Sequence, residues 1–339
     1  MSRVRRWKQG VGLALGLALA LVGRPLLVHA DAGAAAESAS SAPAPLTQPQ
    51  ETWDPALLRQ AGLNPAALHC NQLVNWGPDL QAQAQEVADQ IQAQLPHSAL
   101  ATAEARSNFH DRVTDILFWR LVRTLIIDAE HHNAGVIALR GYHWTDSSGV
   151  RHPVLVFRSA IVNNGGGGPS CSLSLLESGA VRHVVNLYDA DKIPVGAIIG
   201  REQAMAKSCG ATYFSPDEAE RRYGSWRNQL RQAPEASGDY RRAMQSLARL
   251  IREQILAPGG QPPQGNIYLH CGGGMHRSGI VMGILDRCIN QESLQLVEKR
   301  YRFHTAWRSA AEPGGAEAGN LQVIKNFDCQ SLRLPAKSS

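Results

Sequence analysis

His270-Cys271-Gly272-Gly273-Gly274-Met275-His276-Arg277-Ser278 follows the short apolar run Ile267-Tyr268-Leu269 and leads into Gly279-Ile280-Val281-Met282-Gly283-Ile284-Leu285. The first run reads as a buried strand, and the last as a helix with one apolar side. A glycine-rich turn between strand and helix aims several backbone N–H groups at one place, and the helix start adds its positive end. Such a turn is an anion cradle. The same field draws a thiol at its rim from about 8.5 towards roughly 3.5 to 7.5. Cys271 is therefore expected to be a standing nucleophile. Arg277, further along the turn, can grip a phosphate or its transition state through its planar fork.

The spacing of Cys271 to Arg277-Ser278, with His270 before it and three glycines inside it, resembles the active-site signature of the protein tyrosine phosphatase superfamily. That superfamily includes dual-specificity, phytase-like and bacterial tyrosine phosphatase-like members. The resemblance runs over residues 135–330 and is tightest at 270–278. It implies that residues 272–277 (Gly272, Gly273, Gly274, Met275, His276, Arg277) bind the phosphate and that Ser278 donates a hydrogen bond to the sulfur. It also implies that His270 supports the loop from behind, and that the chemistry runs through a cysteinyl-phosphate without metal or cofactor. A carboxylic acid must protonate the leaving oxygen. Asp217, after a strand end and Pro216, matches the family's placement of its acid in a loop beside the pocket. Asp239 is the alternative, with Asp189 and Asp191 after it, although Asp239 has the ordinary role of a helix-start residue open to it.

Phe157-Arg158-Ser159 is similar to the Tyr-Arg-Ser of bacterial tyrosine phosphatase-like proteins, though a charge closing a strand is ordinarily a solvated end. Two departures stand out. Tyr188 occupies a place where the family has Arg after Asn-Leu, and His276 stands where bacterial members often carry Asp. Arg221, Arg222 and Arg227 form a possible polyanion-binding rim, against the plainer reading of a solvated helical face.

Compartment follows from the first thirty residues. Arg3, Arg5, Arg6 and Lys8 precede an apolar run over 11–22, and Val28-His29-Ala30 offers a small-residue cleavage site. Residues 1–30 read as a secretory signal peptide, or alternatively as a retained anchor. The chain carries 34 Lys and Arg against 29 Asp and Glu, and five of the basic residues lie in that segment. The rest is thus balanced at 29 against 29, which gives no reason to infer a nucleic-acid partner. A secreted or periplasmic protein with no stable membrane association after cleavage is expected. Six cysteines (Cys70, Cys171, Cys209, Cys271, Cys288, Cys329) follow the signal. With Cys271 free, at most two disulfides can form and a second thiol stays unpaired.

Residues 31–50, rich in Ala, Ser, Pro and Gln, read as a disordered lead. Residues 51–134 read as an N-terminal helical addition packed on the core. Its helices are expected at 79–95 and 109–127, the latter with Val113, Ile116, Leu117, Leu121 and Leu125 on related faces. Residues 135–330 read as the catalytic domain. Strands are expected at 136–139, 154–157, 181–187, 211–214 and 267–269. Helices are expected at 173–179, 198–208, 240–255 and 291–303, then a loose loop over 313–319 and a closing apolar element over 321–327. Four consecutive glycines within 163–169 mark a loop or insertion. Alternating strands and helices imply an α/β fold, a mostly parallel central sheet flanked by helices, which the resemblance makes cysteine-phosphatase-like.

The function expected is an exported cysteine-dependent phosphomonoester hydrolase, of tyrosine or dual-specificity type, acting on phosphorylated protein or a small phosphomonoester. A phytase-like inositol polyphosphate or phosphoinositide phosphatase is the alternative, weakened by glycines and Met275 where cationic loop residues would sit. A catalytically weak phosphate-binding module is a third reading, and a sulfur-transfer enzyme fits the His-Cys and Arg-Ser context poorly.

Overall fold

The computed structural model describes residues 53–70, 76–96, 100–123, 133–160, 171–188, 196–305 and 316–334. The signal-like segment 1–30, the lead 31–50, the glycine run within 163–169, and Asp189 and Asp191 lie outside them. In chain order the main elements are α1 (Pro55–Gln60), α2 (Trp76–Ala93), α3 (Ala103–Arg123), β1 (Gly135–Thr145), β2 (Arg151–Ala160), α4 (Cys171–Ser178) and β3 (Val181–Asn186). Then come α5 (Gly196–Ser208), β4 (Thr212–Phe214), α6 (Pro216–Tyr223), α7 (Trp226–Gln232), α8 (Gly238–Ile251), β5 (Asn266–Cys271), α9 (His276–Cys288), α10 (Leu294–His304) and α11 (Ala316–Asn326).

The five strands form one sheet in the order β1-β2-β5-β3-β4. Only the β1–β2 pair is antiparallel; β2–β5, β5–β3 and β3–β4 are parallel. The hairpin turn between β1 and β2 is held by Asp146, whose Oδ1 accepts from Ser148 N and Val150 N, each at 2.9 Å. Parallel strands need crossovers, and helices supply them on both faces. One face buries Ile137, Val156, Val185, Ile267 and Leu269 in the core that α7 to α11 complete. The other buries Val136, Leu155, Phe157, Val184 and Tyr268 with residues of α1, α4 and α5.

β5 lies at the centre, and all six of its residues are buried. Full burial of Ile267 and Leu269 contributes about 1.5 to 3 kcal/mol each before conformational entropy is subtracted. Because side chains alternate along a strand, Cys271 faces the same core as Ile267 and Leu269, while His270 shares the opposite face with Tyr268. The sheet therefore delivers the thiol and the histidine before it to different sides.

Four expectations are revised. The helix after the loop is not one-sided: every residue from Ser278 to Asp286 in α9 is buried. It runs between the sheet and α10 and α11, and Asp286 is accommodated by Arg300 Nη1 at 3.0 Å and Asn290 Nδ2 at 3.1 Å. The loop at 313–319 gives way at residue 316 to α11, whose Leu321, Val323 and Ile324 are buried. Ser215-Pro216-Asp217 is not a loop but the start of α6. Ser215 Oγ accepts from Glu218 N at 3.2 Å, and Pro216 occupies the first turn, where a missing N–H costs nothing. In α3, Ile116 is 55% exposed, and among the side chains described there Thr114 and Phe118 are buried.

The chain divides into two compact units, one including Gln81–Trp119 and the other Pro49–Leu80 with Arg120–Ser339. The stretch 51–134 is therefore split. Leu58, Ala61 and Leu68 belong to the core beneath the sheet, and Cys70 is bonded to Cys171 at the start of α4. Cys288 and Cys329 form a second disulfide, leaving Cys209 and Cys271 as thiols, in keeping with the cysteine arithmetic. Among the described residues no helix is long and apolar enough to cross a membrane.

Candidate active site

Cys271 ends the central strand and is 5% exposed. Ser278, in the first turn of α9, places its hydroxyl 3.3 Å from the sulfur. Burial pushes the thiol up, but the Ser278 hydroxyl and backbone N–H, and the charges of Arg277 and Arg158, outweigh it and hold the thiol below its ordinary value. Hydrogen bonds to the thiolate and nearby cations stabilise the charged form directly, which is why they can win over desolvation.

The turn between Cys271 and α9 is tied from behind. Asn133 Nδ2 donates to Gly273 O at 3.0 Å, Arg158 Nη2 donates to Gly274 O and it also approaches Met275 O at 3.4 Å. A trans peptide carries its C=O and N–H on opposite edges. Holding these three carbonyls back thus turns the N–H groups of Gly274, Met275 and His276 the other way. Gly274 makes this path possible. Its φ is +63°, and a Cβ there would lie 2.6 Å from backbone atoms of Ser159 and Ala160. His276 is the first residue of α9 and half-buried.

Arg158 is the piece that strand-end reasoning underrated. It is 3% exposed, not solvated. Burial draws its guanidinium down to about 10, opposed by Cys271, Tyr301 and Asp286. Asn133 is fully buried, and besides Gly273 it donates to His304 O at 3.0 Å while its Oδ1 lies 2.9 Å from His304 Nδ1. Burial, and then Arg158, hold His304 well below the ordinary imidazole value, so it is neutral.

His270 lies across the sheet from the thiol. Its ring stacks on Tyr268 with centroids 4.9 Å apart. Nε2 is 3.0 Å from Glu202 Oε1, close but without the alignment of a hydrogen bond. Glu202 Oε2 accepts from Tyr213 OH at 2.7 Å and Asn186 Nδ2 at 3.3 Å. This buried network of Glu202, Tyr213 and Asn186 braces His270, whose own carbonyl accepts from Leu187 N at 2.8 Å.

On the open side, Arg277 lines a cleft with Tyr188, Glu220, Trp226 and Arg227. Tyr188 closes one wall, since a Cβ on Gly272 would come within 2.9 Å of its ring. The residue that replaces the expected Arg is thus packed against the loop. Of the three arginines read as a rim, Arg227 faces this cleft. Arg222 pairs with Glu253 at 2.8 Å and Glu218 at 3.4 Å and lies over the Phe214 and Tyr223 rings. Arg221 is exposed in the last turn of α6.

The carboxylates are distributed differently from the sequence reading. Asp217 is exposed in the first turn of α6 and does not line the cleft that holds Arg277. Glu220, one turn later, does line it, and its Oε1 accepts from Ser225 Oγ at 2.5 Å. Asp239 is exposed in the first turn of α8 and paired with Arg242; the cap itself is Ser237, whose Oγ accepts from Tyr240 N at 3.1 Å. Among the described residues no group of three or more His, Cys, Asp or Glu side chains is arranged to hold a metal ion. Set against protein-family models, curated proteins and solved structures, the chain matches none of them.

Proposed function

We propose that this chain is an exported cysteine-dependent phosphomonoester hydrolase with a cysteine-phosphatase-like fold, working on phosphotyrosine-type or dual-specificity substrates. The observation that carries this reading is the buried, lowered-pKa Cys271 thiol at a turn whose carbonyls are tied back by Asn133 and Arg158, with Arg277 in the adjoining cleft. In this reading the nucleophile, the loop N–H donors and the Arg277 guanidinium act together on one phosphate.

In the proposed first step the Cys271 thiolate attacks phosphorus, a P–S bond forms and the P–O bond to the leaving group breaks. The departing oxygen takes its proton from a carboxylic acid. Loop N–H groups and Arg277 hold the equatorial oxygens as charge redistributes. Water then attacks phosphorus, gives its proton to the same carboxylate, and the P–S bond breaks to return the thiolate. Ser278 stabilises sulfur as it leaves.

The acid comes from α6 in this reading, with Asp217 the residue carried from the family pattern and Glu220 the one lining the cleft. The profile of kcat/KM against pH for p-nitrophenyl phosphate separates them from Asp239. Replacing the acid by its amide should cost about 10²-fold or more and flatten the alkaline limb. An Asp217→Asn enzyme with an intact profile beside a Glu220→Gln enzyme with a lost limb assigns the role to Glu220. If Asp239→Asn alone loses it, α6 is the wrong source.

A further inference from the structure

Arg227 is a buried cation to which the described residues offer no partner. It is 7% exposed, lines the cleft with Arg277, and its Nε has no hydrogen-bond partner. Among the described residues none pairs with it. Glu220 shares the cleft but is engaged by Ser225. The charges that act on Arg227 are those of Arg277 and Arg231, both repulsive, opposed by Cys271 and Tyr301. Removing a guanidinium from water without a partner is among the more costly arrangements a fold can hold. The geometry fits a group that completes its shell only when a ligand arrives.

We propose that Arg227 and Arg277 form a two-cation pocket, so that the preferred substrate carries a second phosphate next to the one that is cleaved. This rests on the phosphatase reading of Cys271. A guanidinium offers five donors in a planar fork, and a phosphate, with three free oxygens, answers more of them than a carboxylate can. A single phosphomonoester dianion already has Arg277 and the loop N–H groups to meet its charge. Arg227 supplies a further cation that a second phosphate would neutralise. Tyr188 and Trp226 also line the cleft.

The test compares kcat/KM for phenyl phosphate and 1,2-phenylene bisphosphate, and for one peptide carrying phosphotyrosine alone or with an adjacent phosphothreonine. Wild type, Arg227→Met and Arg227→Lys are assayed alongside melting temperatures. The expected result is a preference for the doubly phosphorylated member of at least one pair. It falls about tenfold or more in Arg227→Met, and Arg227→Lys partly restores it. The pair that shows it tells whether a small molecule or a peptide carries the second phosphate. Arg227→Met should melt no lower than wild type, because it removes an unpaired buried charge. An unchanged preference in Arg227→Met, or equal losses on both members together with a lower melting temperature, would overturn the inference and leave the phosphatase reading standing. If wild type turns over none of these substrates, the phosphatase reading fails instead. Calorimetric titration with pyrophosphate and with inorganic phosphate then decides the pocket. Tighter pyrophosphate binding lost in Arg227→Met keeps it, and equal binding removes it.

Discussion

Arg158 and Arg227 stand on opposite sides of the same loop. Both are more than nine-tenths buried, and burial draws both guanidinium groups down to about 10. Their surroundings differ in one respect. The Nε of each lacks a partner, but Arg158 Nη2 reaches the carbonyls of Gly274 and Met275, whereas Arg227 finds no partner among the described residues. Behind the loop, Arg158 ties back the carbonyls that set where the loop N–H groups point. The side in front is incomplete. A buried guanidinium is thus evidence of structure where it ties backbone carbonyls, and of a ligand site where the described residues give it nothing to tie.

The largest effect should come from exchanging the two cations for methionine. Arg158→Met leaves two loop carbonyls buried without donors and should cost about 3 to 5 kcal/mol of stability by denaturant unfolding. Arg227→Met should cost none. Equal losses would erase the distinction between the two sides.

Acid should attack the rear side next. His304 is held well below its ordinary value by burial and Arg158, and His183, at the far end of β3, is lowered to about 4 by burial. Folded pKa values below the unfolded one mean that unfolded chains bind more protons. The stability these groups contribute is full above about pH 6.5 and is lost as pH falls from there, for His183 towards about 4. Each contributes a slope of about 1.4 kcal/mol per pH unit. Unfolding titrations between pH 7 and 4 should show this, with a shallower fall in Arg158→Met, where one cause of the His304 shift is gone. A flat profile would contradict a neutral, buried His304.

A smaller change belongs to the thiol. Ser278→Ala removes a hydrogen bond that lowers the Cys271 pKa, so the pH midpoint of iodoacetamide alkylation should move upward. An unmoved midpoint would mean that the nearby cations hold the thiolate without Ser278.

Much of the fold was legible because apolar runs of strand length alternate with helical patterns, and the glycine-rich turn marks the junction that matters. What was missed depended on distance. Arg158 at a strand end reads like any solvated charge until β5 pairs beside β2 and brings the loop carbonyls to it. Glu202 sits in an ordinary helical pattern, and only the meeting of α5, β3, β4 and β5 makes it the partner of His270, Tyr213 and Asn186. Asn133 carries a positive φ and partners drawn from two segments remote in sequence. The α6 start was misread for another reason. Ser215-Pro216-Asp217-Glu218 contains a capping pattern, and weighting Asp217 as a loop acid hid it.

Rapid quenching of the reduced, chelator-treated enzyme during turnover of p-nitrophenyl phosphate, followed by mass analysis of the peptide spanning residue 271, tests the central claim most directly. A phosphoryl group is expected on Cys271 sulfur and absent from Cys271→Ser, together with loss of turnover in that variant by about 10³-fold or more. Turnover that survives in Cys271→Ser, or a phosphoryl group trapped on a different residue, would contradict it.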